Sequence, residues 1–297
     1  MLIEYKKLFN NKNFYLSICA LILLVVIAVI IGVKEHNDEY QLTERIYSQY
    51  YEEEIVKDVL IFISPHKQWL GFTNNFASEL YYLLFPLLIS IALVDSIYRE
   101  RKSGYQHFIF MRMDRRKYYI AKFATTFFTA FFMFVVPLCL GVVLVNLFTN
   151  HWDYTAYANI YIGFVEGTLA IPDNAISVFK GDIQPLFSDL LSISPYLYAA
   201  VFYTIGGLFA SAYVCMGLAL SMFIKNYYLM IFMPQIIYTS IWFLATNSPK
   251  WVPFFFLAPD GIHGDNSISI MVVEFLMQIS LTFVIYFIGM RKYEDVL

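Results

Sequence analysis

The chain has 297 residues, of which 59% are hydrophobic and 14% charged, with a formal net charge of −3 and a mean hydropathy of +0.59. Soluble domains carry roughly 45–50% apolar and about 25% charged residues, so this composition excludes an ordinary soluble enzyme. Three cysteines, Cys19, Cys139 and Cys215, all fall in apolar runs, which gives neither a loop-stapling disulfide nor a metal-ligand spacing.

In chain order, the N-terminal stretch is amphipathic, with Leu2, Ile3, Tyr5, Leu8 and Phe9 among Glu4, Lys6 and Lys7. Long apolar runs follow near 14–33, 76–94, 123–148, 196–224, 227–246 and 267–290. A run of about 20 apolar residues crosses a bilayer core, and only a helix satisfies its own backbone there. The expected fold class is therefore all-α, a single polytopic membrane domain of six transmembrane helices. The first run is longer than a signal-peptide core and no small-x-small site follows it, so it is expected to be retained as an anchor. Outer loops 34–75 and 149–195 have room for only short helices or a hairpin, and no segment outside the spans is long enough for a catalytic domain with its own core.

Orientation follows from charge. With both termini in the cytoplasm, fourteen of the twenty lysines and arginines fall on the inner side, eight of them in the loop 95–122. That is the distribution the positive-inside rule favours. The three outer loops, 34–75, 149–195 and 247–266, then hold fifteen acidic residues against six basic ones. Such a face either concentrates cations near the mouth or simply keeps the loop ends solvated.

The inner loop 95–122 carries most of the information. Gly104 permits a turn that other residues resist. Tyr105 to Met113 mixes apolar and aromatic residues with Gln106, His107 and Arg112, which suits a short amphipathic helix at the membrane interface. Asp114 is an expected N-cap for the next helix, and Asp95 with Arg99 one turn on is an expected ion pair. Either this loop docks a cytoplasmic protein, or it is a basic juxtamembrane segment that binds anionic lipid.

The order Glu100-Arg101-x-x-Gly104, then Asp114-Arg115 and Lys122, resembles the corresponding loop of type-two ABC exporter permeases, the type V transporter fold. The six-span layout and inner termini are similar too. The resemblance covers the whole chain in outline and about 25 residues in motif. It implies that a coupling helix here rests in a cleft of a separate ATPase subunit, with Glu100, Arg101, Gly104, Tyr105, Phe108, Arg112, Asp114, Arg115 and Lys122 as the coupling residues. It also implies a second permease subunit, identical or paralogous, with ATP and Mg held by the ATPase and no cofactor in this chain. No glycine here is followed by lysine, so the sequence has no Walker A loop. The implied activity is outward transport of an amphipathic or hydrophobic substrate, an antimicrobial-type peptide being one candidate, without enzymatic chemistry in this chain. The partners are then the ATPase, the second permease and membrane lipid; no nucleic-acid partner is expected.

Charges at bilayer depth cost about 2.5–3.5 kcal/mol on insertion scales, so Glu79, Glu274 and Gln278 are expected either to line a substrate pathway or to bond between helices. Pro86, Pro137 and Pro234 predict kinks. Gly206, Gly207, Ala210 and Ser211 predict close approach of another helix, within the subunit or at a seam between permeases. The connection 247–266, with Phe254, Phe255 and Phe256 beside prolines, fits a re-entrant plug or an interfacial aromatic belt. Two other function classes stay open. A stand-alone secondary transporter usually shows inverted repeats, and none is evident. An intramembrane enzyme needs convergent catalytic groups at membrane depth, but all five histidines are expected in loops.

Overall fold

The computed structural model describes residues 2–61, 63–73, 75–153, 186–187, 190, 193–245, 248–259 and 267–294. Its helices are α1 (Leu2–Phe9), α2 (Lys12–Tyr47), α3 (Glu53–Ile61), α4 (Phe76–Leu93), α5 (Ser96–Lys102), α6 (Tyr105–Phe110), α7 (Arg115–Thr149), α8 (Pro195–Leu220), α9 (Tyr227–Leu244), α10 (Pro253–Leu257) and α11 (Ile268–Glu294). Six of them, with α4 and α5 taken together, are long and apolar enough to cross a membrane. The protein is an all-α, multi-pass membrane protein.

The helix ends follow local chemistry. Asn11, Asn75, Asp114 and Asn226 cap α2, α4, α7 and α9 by accepting bonds from backbone amides of the first turn. Asn150 closes α7 in the left-handed conformation, as asparagine can. Residues 34–47, expected in a loop, instead continue α2. The stretch after Gly32 holds no proline or glycine before Pro65, so nothing breaks the helix where the apolar run stops. His36 consequently lies on a helix rather than in a loop. At about 1.5 Å per residue the 36 residues of α2 reach about 54 Å, well beyond the roughly 30 Å hydrocarbon core.

The bundle is built around α8. In its apolar window 72% of the residues are buried, against 17% for α11 and 22% for α9, which places α8 at the centre and the other two at the edges. It contacts α7 most extensively, then α11, α9 and α4, while α2 packs against α4 and α7. The small-residue patch is what lets α7 in. A Cβ at Gly206 would lie 2.5 Å from the Phe134 ring, and one at Gly207 would lie 2.8 Å from Phe131 and Val135. Ser211 donates across the same seam to the Phe127 carbonyl at 2.8 Å. The patch is thus consumed by packing within the subunit, and the alternative of a seam between permeases does not hold for it.

Near two of the three prolines inside helices, polar side chains from neighbouring helices bond the helix backbone. Pro86 cannot donate to the Tyr82 carbonyl four residues back; the Tyr238 hydroxyl of α9 bonds that oxygen at 2.9 Å. One rung further, Gln235 of α9 accepts from Leu87 N at 3.2 Å and donates to Leu83 O at 2.9 Å. Close to Pro137, Tyr81 of α4 donates to the Phe134 carbonyl at 2.6 Å.

At one end of the bundle, residues 64–73 fold inward as a buried plug. Trp69 and Leu70 are fully buried, and Gly71 turns with φ +86, beside Pro259 and Tyr82. Trp69 Nε1 donates to Asn146 at 3.0 Å, and Asn146 donates to the Tyr196 hydroxyl at 2.8 Å. His66 packs its ring edge-on to Trp69 and Tyr196. Burial, reinforced by the neighbouring His151 charge and opposed by Asp153, pushes the His66 imidazole down to about 4. The α9–α11 connection contributes α10 to the same end, where Val252, Phe256 and Leu257 are buried. Phe254 stacks on Trp242 with a 4.9 Å centroid separation. Residues 247 and 260–266 of that connection lie outside the described residues, as does most of the expected outer loop 149–195.

Candidate functional site

The opposite end of the bundle gathers α1, α5, α6, the start of α7 and the α8–α9 turn. The connection 95–122 is almost entirely helical: α5 continues α4 after a break at Val94 and Asp95, α6 is a short crosswise piece, and α7 begins at Arg115. Between α5 and α6, Gly104 has φ +71, and a Cβ there would meet nothing within 4 Å. Glycine is needed here for its backbone conformation and not for space. Asp114 accepts from Arg116 N at 3.3 Å, as its N-cap position predicts. Asp95 is fully buried and its carboxylate meets the Arg99 guanidinium at 3.1 Å, one turn on.

Glu100 is the hub of this end. Its carboxylate accepts from Lys7 of α1 and Lys122 of α7, each at 2.9 Å, and from the Tyr118 hydroxyl. Lys122, with a side chain 5% exposed, also bonds Glu4 of α1 at 2.6 Å, and Lys7 bonds Glu4 at 2.9 Å. Two carboxylates and two ammoniums therefore alternate across three helices, each charge facing two of the opposite sign. Burial alone would lower the Lys7 ammonium, but its bonds to Glu100 and Glu4 outweigh that and hold it above the usual lysine value. Low surrounding dielectric strengthens such a network only while every member is satisfied.

Arg101 turns away from the loop. It donates to the Met222 carbonyl at 3.3 Å and covers the Tyr98 ring at 5.9 Å, tying α5 to the α8–α9 turn. The inner face of α6 is held by Gln106, which donates to the Tyr119 hydroxyl at 3.2 Å, and by Phe110, edge-on to Tyr118. Its outer face is left bare. Phe108 is 62% exposed, Met111 74% and Tyr105 45%, with the Lys7 ammonium 4.7 Å from the Tyr105 ring. Exposed Arg112, Met113 and Arg116 continue this face, and Arg115 lies over the Phe110 ring at 5.2 Å.

The nine predicted loop residues thus divide in two. Glu100, Arg101 and Lys122 are internal braces. Tyr105, Phe108, Arg112, Asp114 and Arg115 surround or form the exposed strip, and Gly104 is the joint between. Sequence reasoning missed Glu4, Lys7 and Tyr118 as members of the charge cluster. The signal was there in part: a lone lysine at 122 entering an apolar run needs a counter-charge, and Glu4 and Lys7 lie one turn apart on the amphipathic α1.

Within the membrane span, Glu274 and Gln278 share the face of α11 that packs on α8, at 7% and 8% exposure. Both Glu274 oxygens and Gln278 Nε2 are buried without a hydrogen-bond partner among the described residues, as is the nearby Tyr213 hydroxyl of α8. Glu79 stands apart from them, exposed on the first turn of α4. Among the described residues no group of three or more histidine, cysteine or acidic side chains is arranged to hold a metal ion. Comparison with protein-family models, with characterised proteins and with solved structures returned no match.

Proposed function

We propose that this chain is the permease subunit of an ATP-driven exporter of the type-two ABC kind, energised by a separate ATPase with its own ATP and Mg. The observation that carries the reading is the construction of α6: a short helix braced from within by Gln106 and Phe110, next to a buried charge cluster, with an aromatic and methionine strip turned outward at the basic end. A strip that only met lipid would not need a rigid mount, whereas a helix that transmits force to the bundle does. Motion imposed on α6 would pass through α5 and Glu100 to α1 and α7 together. The substrate is amphipathic or hydrophobic and leaves toward the acidic end; Glu274 and Gln278, buried yet unpaired, are the candidate contacts on its path.

Affinity capture of the full-length chain from its native membranes tests the assignment. A Walker A-bearing ATPase should co-purify with the wild type and be lost with Phe108→Asp, which alters an exposed side chain and leaves the melting temperature unchanged. A wild-type chain that retains no ATPase, yet moves substrate on an ion gradient, would make it a secondary transporter instead. Transport by Glu274→Gln and Glu274→Ala at matched expression separately tests the pathway, since unchanged rates in both would remove Glu274 from it.

A further inference from the structure

Helices α7 and α11 both pack on α8, and between them, toward the basic end, they leave an apolar groove of about 500 Å³. Aromatic rings set the register across it. Tyr286 of α11 donates to the Tyr119 carbonyl of α7 at 2.8 Å, and Phe283 stacks on Phe123 with a 5.0 Å centroid separation. The two helices therefore run antiparallel, and Arg291 stands level with the start of α7. Tyr286 is only 4% exposed, and with its hydroxyl committed to α7 it offers the groove only its ring. Ala124 lines the groove between Ile120 and Phe128, which lie one turn to either side on the same helix face. A methyl between two large side chains makes a notch. Ile120, Val284 and Ile288, each more than half exposed, form its sides.

No charged residue lines the groove; the charge lies just past its end. The Arg291 guanidinium covers the ring of Phe287, itself a lining residue, at 4.5 Å. Lys292 follows it, and Arg115, Arg116 and Lys117 open α7 at the same level. Segments 114–117 and 291–295 together carry five basic residues against three acidic ones, Asp114, Glu294 and Asp295. An apolar slot at membrane depth that ends under a surplus of bases matches a molecule with a hydrocarbon chain and an anionic head. A second copy of the chain matches it less well. A twofold axis along the membrane normal would bring two sets of the same bases together, and like charges in apposition oppose association.

We propose that this groove binds one anionic phospholipid from the leaflet at the basic end. An acyl chain lies along Ile120, Ala124, Val284 and Ile288, and the phosphate sits between Arg291 and the bases that open α7. The site rests on the membrane-spanning fold and is independent of the transport reading.

Native mass spectrometry of the purified full chain, titrated with dioleoylphosphatidylglycerol and dioleoylphosphatidylcholine, tests it. The first phosphatidylglycerol should bind clearly more tightly than the first phosphatidylcholine. The double variant Arg291→Gln/Lys292→Gln should weaken phosphatidylglycerol about thirtyfold, the worth of two bases near an anionic lipid, and leave phosphatidylcholine unchanged. Both side chains are exposed, so the lipid-free melting temperature should hold. Ala124→Phe fills the notch without altering any charge and should abolish the tight first binding. Equal first-site affinity for the two lipids, or phosphatidylglycerol binding indifferent to the double variant, would overturn the proposal. So would disulfide crosslinking between copies through Val284→Cys in a chain free of its native cysteines, because a second copy would then occupy the groove.

Discussion

At the scale of single residues, Glu100 shows how one side chain serves two ends. It was readable as a motif residue in the loop, but its partners Lys7 and Lys122 lie 93 and 22 residues away, and only folding reveals them. Removing one member of a buried charge cluster costs about 2–4 kcal/mol because the remaining charges stay desolvated. Glu100→Gln should therefore lower thermal stability markedly. A double variant that also carries Lys122→Met should lose less than the two single losses added together, which a double-mutant cycle in detergent would measure. His66 gives a pH signature. The unfolded imidazole takes up a proton near 6.5, while the folded one resists until about 4. Stability is then complete above pH 6.5 and falls progressively toward pH 4, by about 2–3 kcal/mol. The difference in melting temperature between pH 7.5 and pH 5 should shrink in His66→Phe.

At the scale of elements, the three prolines illustrate where sequence reading stops. Each missing helix bond was legible because proline lacks the N–H that a helix requires, but nothing in α4 says which side chain bonds the carbonyl that Pro86 leaves. The repair comes from Gln235 and Tyr238, one turn apart on α9 beside that helix's own Pro234. Gln235→Leu should cost about 1–2 kcal/mol in the wild type, since Leu83 O and Leu87 N each lose a side-chain bond beside Pro86. In a Pro86→Ala background the α4 ladder can close on itself, and the same substitution should cost clearly less. Guanidinium or SDS titration of the four proteins reads this out. The six spans themselves were plain from apolar length, and the N-cap at Asp114 and the ion pair of Asp95 with Arg99 from local spacing. The extension of α2 was missed because the reading equated the end of the apolar run with the end of the helix. The Trp69 plug was missed because burial of a loop depends on partners such as Asn146 and Tyr196 that lie far along the chain.

For the whole molecule, charge separates the two ends. The charge cluster, α6 and the basic residues around it gather at one, and the acidic extension of α2 with α3 belongs to the other. Under the positive-inside rule this distribution favours α6 on the cytoplasmic side, the orientation that the transport proposal requires. In a background free of Cys19, Cys139 and Cys215, a single cysteine at position 108 should react with a membrane-impermeant maleimide only after cells are opened, and one at position 50 should react in intact cells. The reverse pattern would put α6 out of reach of any cytoplasmic motor. The central position of α8 sharpens the mechanical picture. The lightly held helices α9 and α11 lie at its flanks, so rearrangement of an edge helix disturbs fewer contacts than movement of α8 itself.

The overshoot of α2 makes that helix an angular amplifier. Its foot joins α1 through the Asn11 cap next to the charge cluster, and its far tip near Tyr47 lies about 54 Å away, more than the roughly 30 Å thickness of a hydrocarbon core. A tilt of about 10° at the foot would swing a tip about 54 Å away through about 9 Å. A spectroscopic tag at position 50 would thus register, at one end of the bundle, a small tilt begun at the other.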